Sequence, residues 1–367
     1  MKIKHIEAIA VSLPMLKPVR MSFEEVRSAN NALVRIETDD GIVGWGEAAS
    51  APTMTGETMA GMVAAIRYLA PLLEGMPADD IAAVMTRAER YLHANHAAKS
   101  TLEMALYDAL GRATGKPVFD LLGAKRRGRV PVLRMIGTGS TASDIAEAQR
   151  SKAGGFVAFK IKVGVAEPLE DADRTRKVCD VLGDGVLICA DANQAWSAEQ
   201  AVVYVRAVEN TALDFFEQPV AGHDLEGMAK VAAASRISIG CDEGLHSMED
   251  LRRHHAARAA RGGSLKTIKL GGMKPVYDAA LLCEELGMKI NLACKIAESS
   301  IAAAAMLHIA AAIPSMDWGI SLSNQYLKDD LLLQPLVFAK GHAEVPAGPG
   351  LGIEVDEAKV RKYAQKI

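Results

Sequence analysis

The stretch "FVAFKIKVG" (residues 156–164) is followed, twenty residues later, by "GVLICADAN" (185–193), and these two segments decide the fold. Each is a short apolar run that ends in charged or polar side chains. A helical stretch separates them. Strands that alternate with helices in this way form a parallel sheet. We therefore predict a parallel β/α repeat from about Val130 onward.

The same strand pattern recurs on both sides of these two segments. It returns in "VPVLRMIG" (130–137), "LDFFEQPV" (213–220), "ISIGCDEG" (237–244), "SLKTIKLGG" (264–272) and "MKINLACK" (288–295), with an eighth candidate in "MDWGISL" (316–322). Eight such strands suit a closed barrel better than a doubly wound open sheet. The predicted fold class is α/β, with a (β/α)8 TIM-type barrel.

A different pattern precedes the barrel. In "NALVRIETDDGIVGWGE" (31–47), two apolar runs flank an Asp-Asp-Gly turn, which predicts a β-hairpin. Residues 56–122 have helical periodicity that stops at Gly115-Lys116-Pro117. We predict an N-terminal α+β capping domain (1–125), the barrel (126–325) and a turn-rich C-terminal segment (326–367) that returns to the cap.

Composition excludes several classes of protein. The chain has 367 residues and a net charge of -3 that is spread along the sequence, and its longest basic cluster (125–129) is short, so we predict no nucleic-acid partner. Five scattered cysteines without a CxxC pair argue against a disulfide framework or a zinc site. No apolar run reaches the ~18 residues of a membrane span. We predict a soluble cytoplasmic protein.

Charged residues stand where the predicted strands end, and barrel enzymes place their chemistry at that rim. The strand ends carry Lys160 and Lys162, Asp191 and Asn193, Glu217, Asp242 and Glu243, and Lys266 and Lys269. A single acidic residue at a strand end is more often a helix cap. Here Asp191, Glu217 and Asp242 follow one another at intervals of 26 and 25 residues, about one β/α unit. Three carboxylates on successive strands predict a Mg²⁺ site, with Mn²⁺ as the alternative ion.

Lysines flank this carboxylate trio. Lys162 lies one unit before it and Lys266 one unit after it, so the two ammonium groups are expected to face each other across the metal. A divalent ion bound to a substrate carboxylate makes the neighbouring proton removable by such a base. Lys269 competes with Lys266, since both precede Gly271-Gly272 and alternation along a strand allows only one of them to point inward.

Taken together, these residues match a known family: the chain resembles the muconate lactonizing subgroup of the enolase superfamily, nearly from end to end. The matching segments are "GWGEAA" (44–49), "STLEMALYDALGRATGKPVFDLLG" (100–123), "FKIKVG" (159–164), "DANQAW" (191–196), "FEQP" (216–219), "CDEG" (241–244), "KTIKLGG" (266–272) and "AESS" (297–300). The resemblance implies a modified barrel of the (β/α)7β type beneath the cap.

The resemblance also implies roles for individual residues. Lys162 falls on the acid/base lysine and Lys160 on the residue that tunes it. The metal ligands fall on Asp191, Glu217 and Asp242. The family's second lysine precedes the glycine pair by five residues, which selects Lys266. Glu298 falls on a glutamate that follows the seventh strand.

Substrate contacts are predicted less directly. The mandelate racemase subgroup has a histidine after the seventh strand, where this chain offers Lys295, so that subgroup is disfavoured. Lys295 is either a partner for a substrate carboxylate or a surface lysine. Relatives that act on dipeptides carry an Asp-x-Asp on the last strand, which reads Ser-Met-Asp here (315–317). Asn193, Glu298 and two cap residues, Met21 and Met54, complete the predicted contacts.

The predicted function is a Mg²⁺-dependent isomerase that abstracts a proton α to a substrate carboxylate through an enediolate. It is either a muconate-type cycloisomerase or a racemase or epimerase of an amino-acid derivative. A dehydratase or o-succinylbenzoate synthase-type lyase needs the same residues, and a Schiff-base barrel lyase or a non-catalytic relative are further alternatives. We expect a small-molecule carboxylate substrate and a homo-oligomer.

Overall fold

The hairpin predicted around the Asp-Asp-Gly turn is present, and it belongs to a three-stranded antiparallel sheet. The computed structural model of the chain describes residues 1–20, 25–137 and 140–367. Gly41, in the hairpin turn, has φ +83°, a conformation that favours glycine. The cap comprises β1 (Ile3–Arg20), β2 (Glu25–Thr38), β3 (Val43–Ala49), α1 (Met59–Leu73), α2 (Ile81–Tyr91), α3 (His96–Thr114) and α4 (Val118–Leu122).

The barrel confirms the predicted α/β fold class. Its strands, with the short β4 (Arg129–Pro131) before them, are β5 (Arg134–Ile136), β6 (Ala158–Lys162), β7 (Leu187–Asp191), β8 (Phe215–Glu217), β9 (Ser238–Cys241), β10 (Gly262–Leu265), β11 (Lys289–Ala293) and β12 (Ile320–Ser321). Strands β5 to β12 pair in chain order, all in parallel. A parallel bridge between Val132 and Ile320 joins the first and last strands, so the sheet closes.

Helices connect the barrel strands and cover their outer face. They are α5 (Thr141–Ala153), α6 (Pro168–Leu182), α7 (Ala198–Ala207), α8 (Leu225–Ala233), α9 (Met248–Ala256), α10 (Thr267–Leu270), α11 (Met273–Glu285) and α12 (Ser300–Ala312). Inside the barrel, the Trp318 ring stacks on Phe215 at 4.1 Å between ring centroids. Gly240 and Gly262 leave room for it, since a Cβ on either would meet that indole.

The last stretch of the chain contacts both the barrel entrance and the cap. It contains a 3₁₀ turn (Asn324–Tyr326), β13 (Phe338–Ala339), β14 (His342–Glu344) and α13 (Glu357–Tyr363). Strand β14 pairs with β4, and Gln365 donates its backbone N–H to the carbonyl of Ala10 in β1. The three-part division of the chain at residues 125 and 325 stays a prediction.

Two predicted strands are shorter than expected. In "VPVLRMIG", the barrel strand begins only at Arg134, because Arg129–Pro131 pairs with β14 instead. In "SLKTIKLGG", the strand ends at Leu265 and Lys266 is the N-cap of α10, so residues 267–270 are helical. The alternation argument that separated Lys266 from Lys269 was therefore wrong, because a helical turn brings residues three apart to the same side.

The structure also bears on two expectations from composition. All five cysteines are buried and free: Cys179, Cys189, Cys241, Cys283 and Cys294. Within the described ranges, no helix combines the length and the apolar character that crossing a bilayer requires.

Helix α3 lies directly on β3, and Gly46 permits this contact. A Cβ at Gly46 would stand 2.0 Å from the backbone oxygen of Thr101. We expect Gly46→Ala to lower the free energy of unfolding by about 2 kcal/mol or more, because overpacking costs ~1–3 kcal/mol and a helix backbone yields less than a side chain. Urea denaturation measures the change. Gly128→Ala is the matched control, since its nearest neighbour is the flexible Lys125 side chain at 3.6 Å. Equal losses in both variants would contradict the prediction.

Candidate active site

The carboxyl ends of the barrel strands surround a cavity that the cap partly covers. The cap contributes Thr53 and Met54 to its lining. The rest of the lining has a charged side, formed by residues between Lys160 and Lys266. It also has a more apolar side that includes Leu133, Met135 and Tyr326. The predicted contact Met21 lies outside the described residues.

Strand register brings the predicted metal ligands to one level of the rim. Asp191 is the last residue of β7 and pairs with Glu217, the last residue of β8. On the other side, Asp191 pairs with Lys162 at the end of β6. Asp242 directly follows β9. Each of the three carboxylates is at most 2 % exposed, so they share a buried layer beneath the cavity.

Each carboxylate in this layer is bound by a lysine. Lys162 Nζ donates to Asp191 Oδ2 at 2.6 Å. Lys160 donates to Glu217 Oε2, whose other oxygen accepts from Ser264 Oγ at 2.6 Å. Lys160, predicted to act on Lys162, therefore holds a predicted metal ligand in place.

The lysines keep Asp191 and Asp242 ionised. Burial alone would raise the pKa of Asp191, but Lys162 and Lys160 outweigh it and lower that pKa. The pKa of Asp242 is likewise lowered, because Lys266 and Lys269 outweigh its burial. Burial opposes the charge of Lys160, yet Glu217 and Asp191 raise its pKa well above the usual value. The negative charges of the carboxylates and the positive charges of the lysines in this layer therefore stabilise one another.

Lys266 and Lys269 both reach Asp242, but only Lys266 faces the cavity. Lys266 donates to Asp242 Oδ2, and its Nζ lies 3.8 Å from the sulfur of Met54 in the cap. Lys269 has no exposed surface and donates to Asp242 Oδ1 at 2.6 Å, to the Asp242 carbonyl at 2.5 Å and to the Ser264 carbonyl at 2.8 Å. Its geometry is that of a structural lysine behind Asp242.

Glu243 lines the cavity, although sequence reasoning did not select it as a site residue. Its Oε1 accepts from Asn193 Nδ2 at 3.0 Å, and Asn193 Oδ1 accepts from Lys162 Nζ at 2.7 Å. Burial, and then the charges of Asp242 and Asp191, raise the pKa of Glu243 to about 7. The signal available in the sequence was its place beside Asp242 at a strand end.

The donor set fits a hard divalent cation. Across the part of the chain that the structure describes, no group of three or more His, Cys, Asp or Glu side chains already stands in a cation-binding arrangement. Asp191, Glu217 and Asp242 each direct an oxygen at an ammonium group instead. They are nevertheless buried oxygen donors on neighbouring strands, and a cation can supply the positive charge that they require. Glu243 Oε2 is buried beside them without a hydrogen-bond partner among the described residues.

The loop after the seventh strand carries Lys295, which lines the cavity and is 5 % exposed. Glu298 is buried behind that loop and accepts from the backbone N–H groups of Lys295, at 2.9 Å, and Ala49, at 3.3 Å. Burial, and then the charge of Glu47, raise the pKa of Glu298 to about 8. Glu298 therefore joins the loop to the cap, and a direct contact between Glu298 and substrate stays a prediction.

Comparisons with known proteins agree with the fold described above. The family model described as mandelate racemase / muconate lactonizing enzyme, N-terminal domain, matches residues 5–123, and the model described as enolase C-terminal domain-like matches residues 143–359. The chain is 32 % identical to chloromuconate cycloisomerase of Pseudomonas putida over the full length of both.

Solved structures show the same relationship. The muconate lactonizing enzyme of Pseudomonas fluorescens, complexed with muconolactone, superposes with a TM-score of 0.95 at 31 % identity, covering 99 % of each chain. The N-succinyl Arg/Lys racemase of Bacillus cereus also has a TM-score of 0.95, at 26 % identity, covering 100 % of this chain and 99 % of the racemase.

The contrast between the two lysines on Asp242 can be tested by stability. We expect Lys269→Met to cost about 3–5 kcal/mol of unfolding free energy, because it removes one of the two donors to the buried Asp242 carboxylate and also deprives two carbonyls of their donor. Lys266→Met should cost less, since Lys266 lines the cavity, where water can take its place beside Asp242. Chemical denaturation of both variants measures the difference, and a larger loss in Lys266→Met would refute the structural assignment of Lys269.

Proposed function

Because the chain belongs to the mandelate racemase / muconate lactonizing enzyme family and is an isomerase of the enolase superfamily, we propose that it moves a proton on the carbon next to a substrate carboxylate, with Mg²⁺ as its metal ion. The proposed acid/base residues are Lys162 and Lys266. The proposed metal ligands are Asp191, Glu217 and Asp242. Mn²⁺ is the alternative ion, since it prefers the same oxygen donors.

The position of the two lysines is the observation that carries the proposal. Lys162 ends β6, the second strand of the barrel, and Lys266 follows β10, the sixth. In a closed barrel of eight strands, positions four strands apart lie on opposite sides. A substrate held between the two lysines therefore presents one face to each. Such a pair can remove a proton from one face and deliver a proton to the other.

The chain's own residues define the steps. One lysine, as the neutral amine, takes the proton next to the substrate carboxylate, and the substrate becomes an enediolate. In a racemase or epimerase, the other lysine, as the ammonium, returns a proton to the same carbon from the opposite face. In a cycloisomerase acting on a lactone, the enediolate instead expels the carboxylate oxygen bonded to the neighbouring carbon, and the ring opens. Mg²⁺, when bound, supplies positive charge that stabilises the carboxylate oxygens as they gain charge. Met54 and the rest of the cap lining keep water away from the proton transfer.

The proposed substrate is a small carboxylate. Lys295 is the proposed partner of a second anionic group, and Asn193 and Met54 are proposed contacts. A cycloisomerase of muconate type accords with the names of the full-length relatives, whereas a racemase or epimerase of an amino-acid derivative accords with the Bacillus cereus neighbour. A homo-oligomer, a cytoplasmic location and the lack of nucleic-acid or membrane partners stay predictions.

Alternative chemistries differ in what they need from the lysines. Elimination by a dehydratase or an o-succinylbenzoate synthase-type lyase proceeds through the same enediolate with the same residues. A Schiff-base lyase needs a neutral, accessible amine. It gives no role to the three buried carboxylates at the rim, Asp191, Glu217 and Asp242, which disfavours that alternative.

Proton exchange in D₂O tests the proposed function. N-succinylamino acids, muconolactone and proline derivatives, incubated with enzyme and Mg²⁺, should include an acid whose α-proton is replaced, as followed by proton NMR. Lys162→Ala and Lys266→Ala should each slow turnover by at least about a hundredfold, as loss of a general base does. Full activity in Lys266→Ala would transfer its role to Lys269. Complete absence of exchange across the acids would refute the proposal.

Metal binding provides a second test. Glu217→Gln should weaken Mg²⁺ affinity in calorimetry by about tenfold or more, because an amide oxygen is a poorer ligand than a carboxylate. Asp214→Asn is the matched control, since Asp214 precedes β8 at the opposite end of the barrel and accepts from the backbone N–H of Ile188 at 2.7 Å. Unchanged affinity in Glu217→Gln would remove Glu217 from the ligand set.

A further inference from the structure

Glu243 is a buried carboxylate that the proposed chemistry leaves without a role. It lines the cavity, is 9 % exposed and follows Asp242 directly. Its backbone is held firmly, because Gln218 Oε1 accepts from the N–H groups on either side of it, Asp242 at 2.8 Å and Gly244 at 3.1 Å. Its single hydrogen bond among the described residues joins Oε1 to Asn193 Nδ2.

Asn193 is held at both ends. Its backbone has φ +44°, a left-handed conformation that asparagine tolerates better than most residues. Its backbone N–H donates to Asp191 Oδ1 at 3.0 Å, and its side-chain oxygen accepts from Lys162 Nζ at 2.7 Å. The amide therefore bridges Glu243 and Lys162.

The groups at the two ends of this bridge decide which side of the Asn193 amide donates and which side accepts. An asparagine amide has one donating and one accepting side, and its orientation is decided by its neighbours. Glu243 Oε1 requires the NH₂ group, so the carbonyl oxygen must face Lys162. Reversal of the amide would place its NH₂ group against the Lys162 ammonium, and two donors would then face each other.

Lys266 has a different environment. Its Nζ contacts Asp242 and the sulfur of Met54, with no bridging amide in those contacts. Burial opposes the charge of Lys266, but Asp242, Glu217 and Glu243 together raise its pKa. Glu243 therefore acts on Lys266 through charge and not through a hydrogen bond. The link from Glu243 through Asn193 thus ends on Lys162, one of the two opposed lysines.

We propose that Glu243 is a positioning residue that holds Lys162 through the hydrogen bonds of Asn193 and has no such hydrogen-bonded link to Lys266. This inference rests on the proposed function, since it assigns a positioning residue to one of the two acid/base lysines. Its consequence is asymmetric. Loss of the bridge should impair proton transfer on the substrate face that Lys162 serves and spare the opposite face.

Exchange of separate enantiomers distinguishes the two faces. The probes are the two enantiomers of N-succinylarginine, and of any other α-chiral acid that wild-type enzyme exchanges in D₂O. Lys162→Ala should abolish exchange of one enantiomer, which identifies it as the one whose α-proton Lys162 removes. Glu243→Leu should slow exchange of that enantiomer by about tenfold or more, because a hydrogen bond to a charged group is lost through the bridge. The other enantiomer should slow no more than it does in Glu243→Gln, which removes the same charge from beside Lys266 but keeps an acceptor for Asn193.

Two further variants test the hydrogen-bond polarity. Glu243→Gln should retain most of the exchange, because its amide oxygen still accepts from Asn193. Asn193→Asp should lose the exchange from the Lys162 face, since two carboxyl groups then oppose each other. The double variant Asn193→Asp/Glu243→Gln should recover much of that loss, because the glutamine NH₂ group can donate to the aspartate. Independent sites do not compensate each other, so this recovery would show that Asn193 and Glu243 are coupled.

Controls separate the possible failures. Asp214→Asn should exchange both enantiomers at wild-type rates. Equal loss of both enantiomers in Glu243→Leu, or no recovery in the double variant, would overturn the inference while leaving the proposed function intact. Should Glu243→Leu fail to fold, the Asn193→Asp pair decides the question by itself. Absence of exchange by wild-type enzyme overturns the proposed function, and the inference with it.

Discussion

Charge compensation at the carboxyl-terminal rim of the barrel is the constraint on which the rest of the site depends. Asp191, Glu217 and Asp242 are almost completely buried, and an unpaired buried carboxylate would be far too costly. Lysines from the neighbouring strands meet this need, and each carboxylate in turn fixes the lysine that binds it. The same attraction between buried carboxylates and positive charge allows this layer of side chains to bind a divalent cation. Function and stability are therefore coupled in one set of side chains.

The cap is tied to this rim by buried carboxylates placed at helix N-termini. Glu47, on β3, accepts from Ser299 and from the backbone N–H of Ala302 in the first turn of α12. Glu103, on α3, accepts from the backbone N–H groups of Met273 and Lys274 at the start of α11. Negative groups are favourable at these positions because the first N–H groups of a helix lack internal partners. These contacts hold the cap, and with it Met54, over the cavity.

Sequence reasoning succeeded for the elements of the fold that a local pattern encodes. The parallel strands and the cap hairpin follow from local patterns, and the α/β barrel is confirmed. The assumption that "SLKTIKLGG" continues as a strand was wrong, and alternation could not separate Lys266 from Lys269. Glu243 was overlooked because its importance lies in a hydrogen bond to Asn193, fifty residues away in the chain.

The sequence by itself determined the β/α repeat and the residue types available at each strand end, because periodicity and spacing are local properties of the chain. Only the tertiary structure decided which ammonium meets which carboxylate, that Lys269 stands behind Asp242, and that Glu298 joins the Lys295 loop to the cap. Those pairings depend on strand register, on the closure of the barrel and on how the cap packs. These are long-range contacts whose geometry no local pattern encodes.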